Sequence, residues 1–126
     1  MQYVTKVKPF HVDARGEMSH LLPPKARIES AVIITCKKGA VRANHFHKKD
    51  THYCYMLKGS MEYTYAAMKN GAKKRTIVVR EGEVVVSPPG IAHAMRFMED
   101  SSFLTLSTEP RRPRNYEGDT VRVTLI

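Results

Sequence analysis

The sequence predicts an all-β domain, an antiparallel sandwich or closed barrel, on three observations. Val, Ile, Thr and Tyr dominate its apolar runs, turn residues recur at short intervals between those runs, and strong helix signals are missing. Closure of such a set of strands removes the open edges that invite aggregation. At 126 residues the chain is long enough for one domain with a real core and too short for two ordinary ones. The expected organisation is a single domain over 1–126, with an extended N-terminal segment at 1–28, a barrel core at 29–108 and a C-terminal loop and strand at 109–126.

Taken in order, the segment PFHVDARGEMSHLLPPKARIES has no clean period, and Pro23-Pro24 marks a loop before the barrel. Strands are then expected over 30–38, 40–47, 51–59, 60–68, 74–82, 83–89, 92–100 and 101–108. They are punctuated by Lys58-Gly59-Ser60, Asn70-Gly71, Glu81-Gly82-Glu83 and Pro88-Pro89-Gly90. Asn70-Gly71 is a good hairpin turn because both residues tolerate positive φ. TEPRRPRNYEGDT is rich in Pro and Arg and reads as an ordered excursion across the surface, because DTVRVTLI over 119–126 returns to strand alternation.

Four histidines fall at Gly39-x5-His45-x-His47-x4-His52-x6-Gly59 and Gly82-x5-Pro88-x-Gly90-x2-His93. Successive side chains of a strand point to opposite faces, so His45 and His47 project the same way. His52 opens the next strand and His93 follows the turn SPPG, so three separate strands can deliver imidazoles to one point. Imidazole is the commonest biological ligand for transition metals, and His45, His47, His52 and His93 are the expected ligands of a divalent zinc, iron, manganese or nickel ion. His11 and His20 lie outside this spacing and read as ordinary surface or core residues.

Lys and Arg total 21 against 12 Asp and Glu, a formal charge of +9 that favours anionic partners. The basic residues are scattered over predicted turns without a long run or interleaved stacking aromatics, which argues for a small anionic ligand and against nucleic acid. Two cysteines, Cys36 and Cys54, are too few for a disulfide framework and sit in apolar runs, so buried reduced thiols are expected. No apolar stretch approaches the ~20 residues that span a bilayer, and MQYVTKVKPF lacks the apolar core of a signal peptide, so a cytoplasmic protein without membrane contact is expected.

The two spaced histidine segments, from Gly39 to Phe97, resemble the paired motifs of the cupin superfamily. That resemblance implies a double-stranded β-helix, or jelly roll, with a metal or substrate at its centre. His52 stands where many cupins place a glutamate ligand, so an ion held by four neutral imidazoles keeps its full positive charge. Asp13-Ala14-Arg15-Gly16 is similar to the opening of dTDP-4-dehydrorhamnose 3,5-epimerases and the related 3,4-ketoisomerases. Arg42-Ala43-Asn44-His45-Phe46-His47-Lys48 resembles their histidine strand, with Ala43 in place of the usual glycine; capsule-sugar enzymes with a zinc-binding cupin domain carry a comparable stretch. The resemblance implies that His45 is the base that removes a proton beside a keto group, that Arg42 grips phosphate, and that Arg15 and Lys48 contact substrate. It also implies a homodimer.

Proton removal α to a carbonyl needs a base, a cation or donor for the enolate oxygen, and an acid on the other face if configuration changes. His45 fits the first need, a metal, Arg42 or Lys48 the second, and Tyr63 or Tyr65 the third. A cysteine nucleophile is not expected, since nothing near Cys54 lowers its pKa. The leading expectation is therefore an isomerase or epimerase of a keto-sugar nucleotide. A ferrous oxygenase and a non-catalytic small-molecule-binding barrel are the alternatives.

Overall fold

The computed structural model describes residues 3–126. Period-two alternation gives its strands one apolar face each, and those faces close on one another as two five-stranded antiparallel sheets. Numbered along the chain, the first sheet runs β1 (Val4–Lys6), β9 (Glu83–Ser87), β6 (His52–Lys58), β11 (Ser101–Ser107), β4 (Ser30–Cys36). The second runs β12 (Thr120–Arg122), β5 (Val41–His47), β10 (Ile91–Phe97), β7 (Ser60–Ala67), β8 (Arg75–Arg80). A separate hairpin pairs β2 (Pro9–Asp13) with β3 (Gly16–Ser19) and leaves Phe10, Val12 and Met18 exposed. The all-β jelly roll expected from the sequence is the fold.

Alternation is plainest in β6, where Cys54 and Met56 point inward beside His52, and in β11, where Phe103 and Thr105 do so. Met61, Tyr63, Val79, Met95 and Phe97 answer them from the second sheet. Phe97 and Phe103 stack across the two sheets with centroids 5.7 Å apart. Full burial of each such side chain contributes roughly 1.5–3 kcal/mol, so this layer holds the sheets together. Both cysteines are buried and free, as the sequence implied.

Each end of the described chain joins a sheet outside the 29–108 expected for the core. Val4 pairs opposite Val85, and Thr120 opposite His47. The strand expected over 119–126 is shorter, because only Thr120–Arg122 stays in the ladder. Val123, Leu125 and Ile126 instead pack on Ala66, Ala92 and Ala94, which explains why β10 buries residues from both of its faces. The Pro- and Arg-rich excursion contains a helix that sequence reading missed, α1 (Pro113–Asp119). Pro113 in its first turn pre-sets φ, but seven residues are too few to display a helical period. At the β7–β8 turn positive φ occurs at Gly71 alone, and Ala72 N–H donates to the Lys69 carbonyl at 3.3 Å.

Ala43 and Asn44 have φ of +70° and +55°, the left-handed region that side chains other than Gly and Asn resist. The ladder slips there: His93 stands opposite His45, yet Ala94 stands opposite Ala43, so Asn44 is the extra residue of a β-bulge. Its side-chain oxygen accepts from Leu125 N–H at 3.0 Å and Ile126 N–H at 3.2 Å, and its carbonyl accepts from Val123 N–H at 2.9 Å. The bulge thus ties the 123–126 segment to the outside of the barrel. Ala43→Gly is expected to stabilise the protein by about 0.5–1 kcal/mol, since the relief of left-handed strain exceeds the entropy that glycine adds to the unfolded chain. Urea unfolding checks this, and an equal or lower stability of the variant counts against strain at Ala43.

Candidate functional site

β5, β6 and β10 bring the four histidines of the sequence pattern to one end of the barrel interior, all of them buried. Ring centroids of His45 lie 4.6 Å from His47 and 4.9 Å from His93, while His47 stacks on His52 at 4.3 Å. One ligand atom each from His45, His47 and His93 fall within 4.8 Å of one another, and the same holds for His47, Asp50 and His52. The pattern is therefore two overlapping triads that share His47, with Asp50 added to the set read from the sequence.

Hydrogen bonding fixes which nitrogens carry protons. The Ile91 carbonyl only accepts, so His93 Nδ1–H donates to it at 3.2 Å and Nε2 keeps its lone pair. Thr120 donates its hydroxyl to the Tyr116 carbonyl at 2.6 Å, which leaves Thr120 Oγ1 to accept from His47 Nδ1–H at 3.4 Å. Asp119 Oδ2 lies 3.6 Å from the same nitrogen. His52 Nε2–H is held by Asp50 Oδ2 at 2.5 Å. Asp50 Oδ1 in turn accepts from Thr108 N–H, the Thr108 hydroxyl and Glu109 N–H at 3.0–3.1 Å. Among the described residues, buried His45 Nδ1 and His47 Nε2 have no hydrogen-bond partner. An unpartnered buried ring nitrogen is costly unless something else binds it, and histidines braced by carboxylates or carbonyls on their far sides are typical of metal centres.

The electrostatics keep these rings neutral. Burial, reinforced by repulsion from neighbouring imidazoles, pulls His45 down to about 2, His47 to about 4 and His93 to about 3. Burial acts to raise Asp50, but the His52 hydrogen bond and charge and the Glu109 amide outweigh it and hold the carboxyl below its ordinary value. Neutral imidazoles beside an ionised carboxylate are the protonation states that a metal ion requires. The donor set therefore fits a divalent transition ion.

His45, His52 and His93 open into a cavity of about 100 Å³, lined also by Arg42, Arg111 and Tyr116, with Cys54, Met95 and Phe103 as apolar wall. Tyr116 comes from α1, its ring 6.3 Å from that of His45 and 5.7 Å from that of His47, and the Arg111 guanidinium lies 4.7 Å over the phenol ring. Arg42 Nε–H donates to Cys36 Sγ at 3.0 Å and Nη2–H to the Thr35 carbonyl at 3.1 Å, which fixes the guanidinium across the mouth. Burial pushes the Cys54 thiol up to about 11, so it is a wall and not a nucleophile.

Other residues expected at the site are elsewhere. Tyr63 is fully buried, hydrogen-bonded to Ser87 Oγ at 2.7 Å and stacked behind His93 at 5.8 Å. Burial raises its pKa above the ordinary phenol value, and it packs the core without lining the cavity. Tyr65 lies against Tyr3 at 4.8 Å and does not line the cavity. Lys48 borders a separate depression with Lys49 and Asp119. Arg15 sits at the tip of the β2–β3 hairpin, paired with Asp13 at 2.7 Å, and does not line the cavity. Sequence reading missed Asp50, Arg111 and Tyr116. The one available signal was Asp50, a carboxylate two positions before His52 in the loop that leads into β6.

The chain belongs to the cupin family: residues 22–116 match the family model described as Cupin. No curated protein matches the sequence. Among solved structures, the chain is similar to a variant of the QdtA 3,4-ketoisomerase from Thermoanaerobacterium thermosaccharolyticum in complex with TDP-4-keto-6-deoxyglucose. That match has a TM-score of 0.73 at 21% identity, over 94% of this chain and 85% of that one. A 3,4-ketoisomerase from Helicobacter canadensis matches with a TM-score of 0.74 at 20% identity, over 94% and 88%. The dTDP-4-dehydrorhamnose 3,5-epimerase from Sulfolobus tokodaii matches with a TM-score of 0.74 at 18% identity, over 97% and 76%. At these identities the likeness establishes the shared fold. No helix among the described residues is long and apolar enough to cross a membrane.

Proposed function

We propose that this cupin isomerises a keto-sugar nucleotide by moving a proton at the carbon beside the ketone, with a divalent metal held at His47 and His93 and braced by the Asp50–His52 pair, which leaves the unpartnered Nδ1 of His45 free as the base. One observation carries the reading: the unpartnered imidazole of His45, two guanidinium groups and a phenol meet at one small cavity with an apolar wall, with the unpartnered His47 ring 4.6 Å from that of His45. When bound, such an ion supplies a Lewis acid for the substrate's keto oxygen. Arg42 and Arg111 add fixed positive charge for the oxygen that becomes negative as the carbon loses its proton. His45, neutral at physiological pH, takes that proton. The imidazolium so formed then gives the proton back. Return by His45 to the former carbonyl carbon, with the hydroxyl proton of the adjacent carbon passing to the former keto oxygen, moves the ketone, whereas delivery from Tyr116 on another wall to the original carbon inverts that centre. The similarity to ketoisomerases and epimerases supports both branches of this reading.

The test begins with elemental analysis of the purified protein, followed by incubation with TDP-4-keto-6-deoxyglucose in deuterated water. Deuterium is expected at a ring carbon next to the ketone. His93→Gln should lose metal and exchange together. Tyr116→Phe should keep metal and, if inversion occurs, lower it by about 10²-fold while leaving exchange on the His45 side. Metal-loaded protein without exchange overturns this reading. Oxygen consumption by the ferrous form then points to the oxygenase, for which three imidazoles leave coordination positions open.

A further inference from the structure

The cavity beside the histidines, about 100 Å³, is smaller than the roughly 300–1,000 Å³ of ordinary small-molecule sites. Only the reacting fragment of a ligand as large as a nucleotide sugar fits within it. The remainder has to lie along an adjoining surface. A groove of about 670 Å³ shares Arg42 with the cavity, whereas the depressions beside Lys48 and at the β2–β3 tip share no lining residue with it. The groove is walled by the end of β4 at Thr35 and Cys36, by Lys37, by Lys58 at the end of β6, and by Ser101 and Ser102 at the start of β11.

Three cations, Lys37, Arg42 and Lys58, face one carboxylate across this groove, and Asp100 Oδ1 is already engaged by Lys38 N–H at 2.9 Å. Among the described residues, none of the three cations forms an ion pair. Arg42 spends hydrogen bonds only on a neutral thiol and a carbonyl, so its charge is held in place but not neutralised. Uncompensated cations round a concave surface raise the local concentration of anions, and the hydroxyls of Thr35 and Ser102 beside them are suited to phosphate oxygens.

We infer that this groove is the phosphate subsite of the protein: it takes the diphosphate of a ligand whose other end enters the histidine cavity, with Lys37 and Lys58 as phosphate contacts beyond Arg42. The identity of the ligand rests on the nucleotide-sugar reading above, but the subsite does not require that the protein be catalytic. Lys37 and Lys58 are both exposed, so their replacement leaves the core and the histidines untouched.

Titration calorimetry with TDP, and separately with inorganic pyrophosphate, tests the subsite. Wild-type protein should bind both, more weakly as salt rises. The double variant Lys37→Ala/Lys58→Ala should bind each about tenfold more weakly, as expected for losing two exposed charge contacts, with unchanged metal content and melting temperature. Lys58→Glu should weaken binding further. Equal affinity in wild type and double variant, or no binding of either probe by wild type, overturns the subsite. Lysine-dependent TDP binding without deuterium exchange retires the isomerase reading and leaves the subsite standing. Exchange with lysine-independent TDP binding does the reverse.

Discussion

Acidifying the metal-free protein from pH 7 to pH 5 is expected to strip away several kcal/mol of its stability. In the folded state burial and mutual repulsion hold His45, His47 and His93 at about 2, 4 and 3, whereas in the unfolded chain each titrates near 6.5. Between those values the unfolded chain binds protons that the folded barrel refuses, so unfolding becomes easier as pH falls. The loss starts near pH 6.5 and continues down to the folded pKa values. By pH 5 it amounts to about 2 kcal/mol for each imidazole, a sizeable part of the roughly 5–15 kcal/mol that a domain of this kind possesses. Urea unfolding curves at half-unit steps of pH measure the slope. His93→Gln should remove about a third of it, and metal should move the whole profile to lower pH by competing with protons. A stability that stays flat from pH 7 to pH 5 contradicts the neutral cluster.

Gly59→Ala should cost about 2–4 kcal/mol, lowering the melting temperature by about 10 °C. Gly59 joins the two sheets between β6 and β7 at φ +87°, and a Cβ built there meets Ser101 Cβ at 2.8 Å and the backbone carbonyl oxygen of Asp100 at 2.9 Å. A backbone oxygen cannot swing aside, so the β6–β7 turn or the start of β11 has to move. Gly71→Ala is the control. It has a similar φ of +79° but open space around it, and should cost only the left-handed strain, about 1 kcal/mol. Comparable losses at the two positions mean that φ alone sets the penalty and that the Gly59 contact relaxes freely.

The contrast between these glycines reflects what a sequence can and cannot convey here. The histidine quartet was legible because two physical periods act on it: strand alternation gives His45 and His47 one face, and turn spacing sets the chain distance to His52 and His93. Tyr63 and Tyr65 show where that logic ends. Alternation put Tyr63 inside correctly, but it carries no information on depth along the barrel, and the ring lies behind His93 with its hydroxyl on Ser87. Arg111 and Tyr116 reach the cavity from a stretch with no period, through an excursion with a seven-residue helix whose path is decided by tertiary packing. The short β12 is a similar case. Its sequence alternates to the end, but Asn44 captures the amides of Leu125 and Ile126 that a longer ladder would have used.

The same bulge changes how β5 is to be read. Arg42 and His45 are three residues apart, an odd interval that in an unbroken strand sends two side chains to opposite sides, yet both line one cavity. The extra residue at Asn44 is a phase slip of half a period: the strand before it and the strand after it keep opposite parity, and the guanidinium and the imidazole converge because of it. The geometry of this wall is thus written as a count of residues as much as a choice of them. A β5 of the same residues without that bulge keeps every one of these side chains and still turns Arg42 away from the histidines.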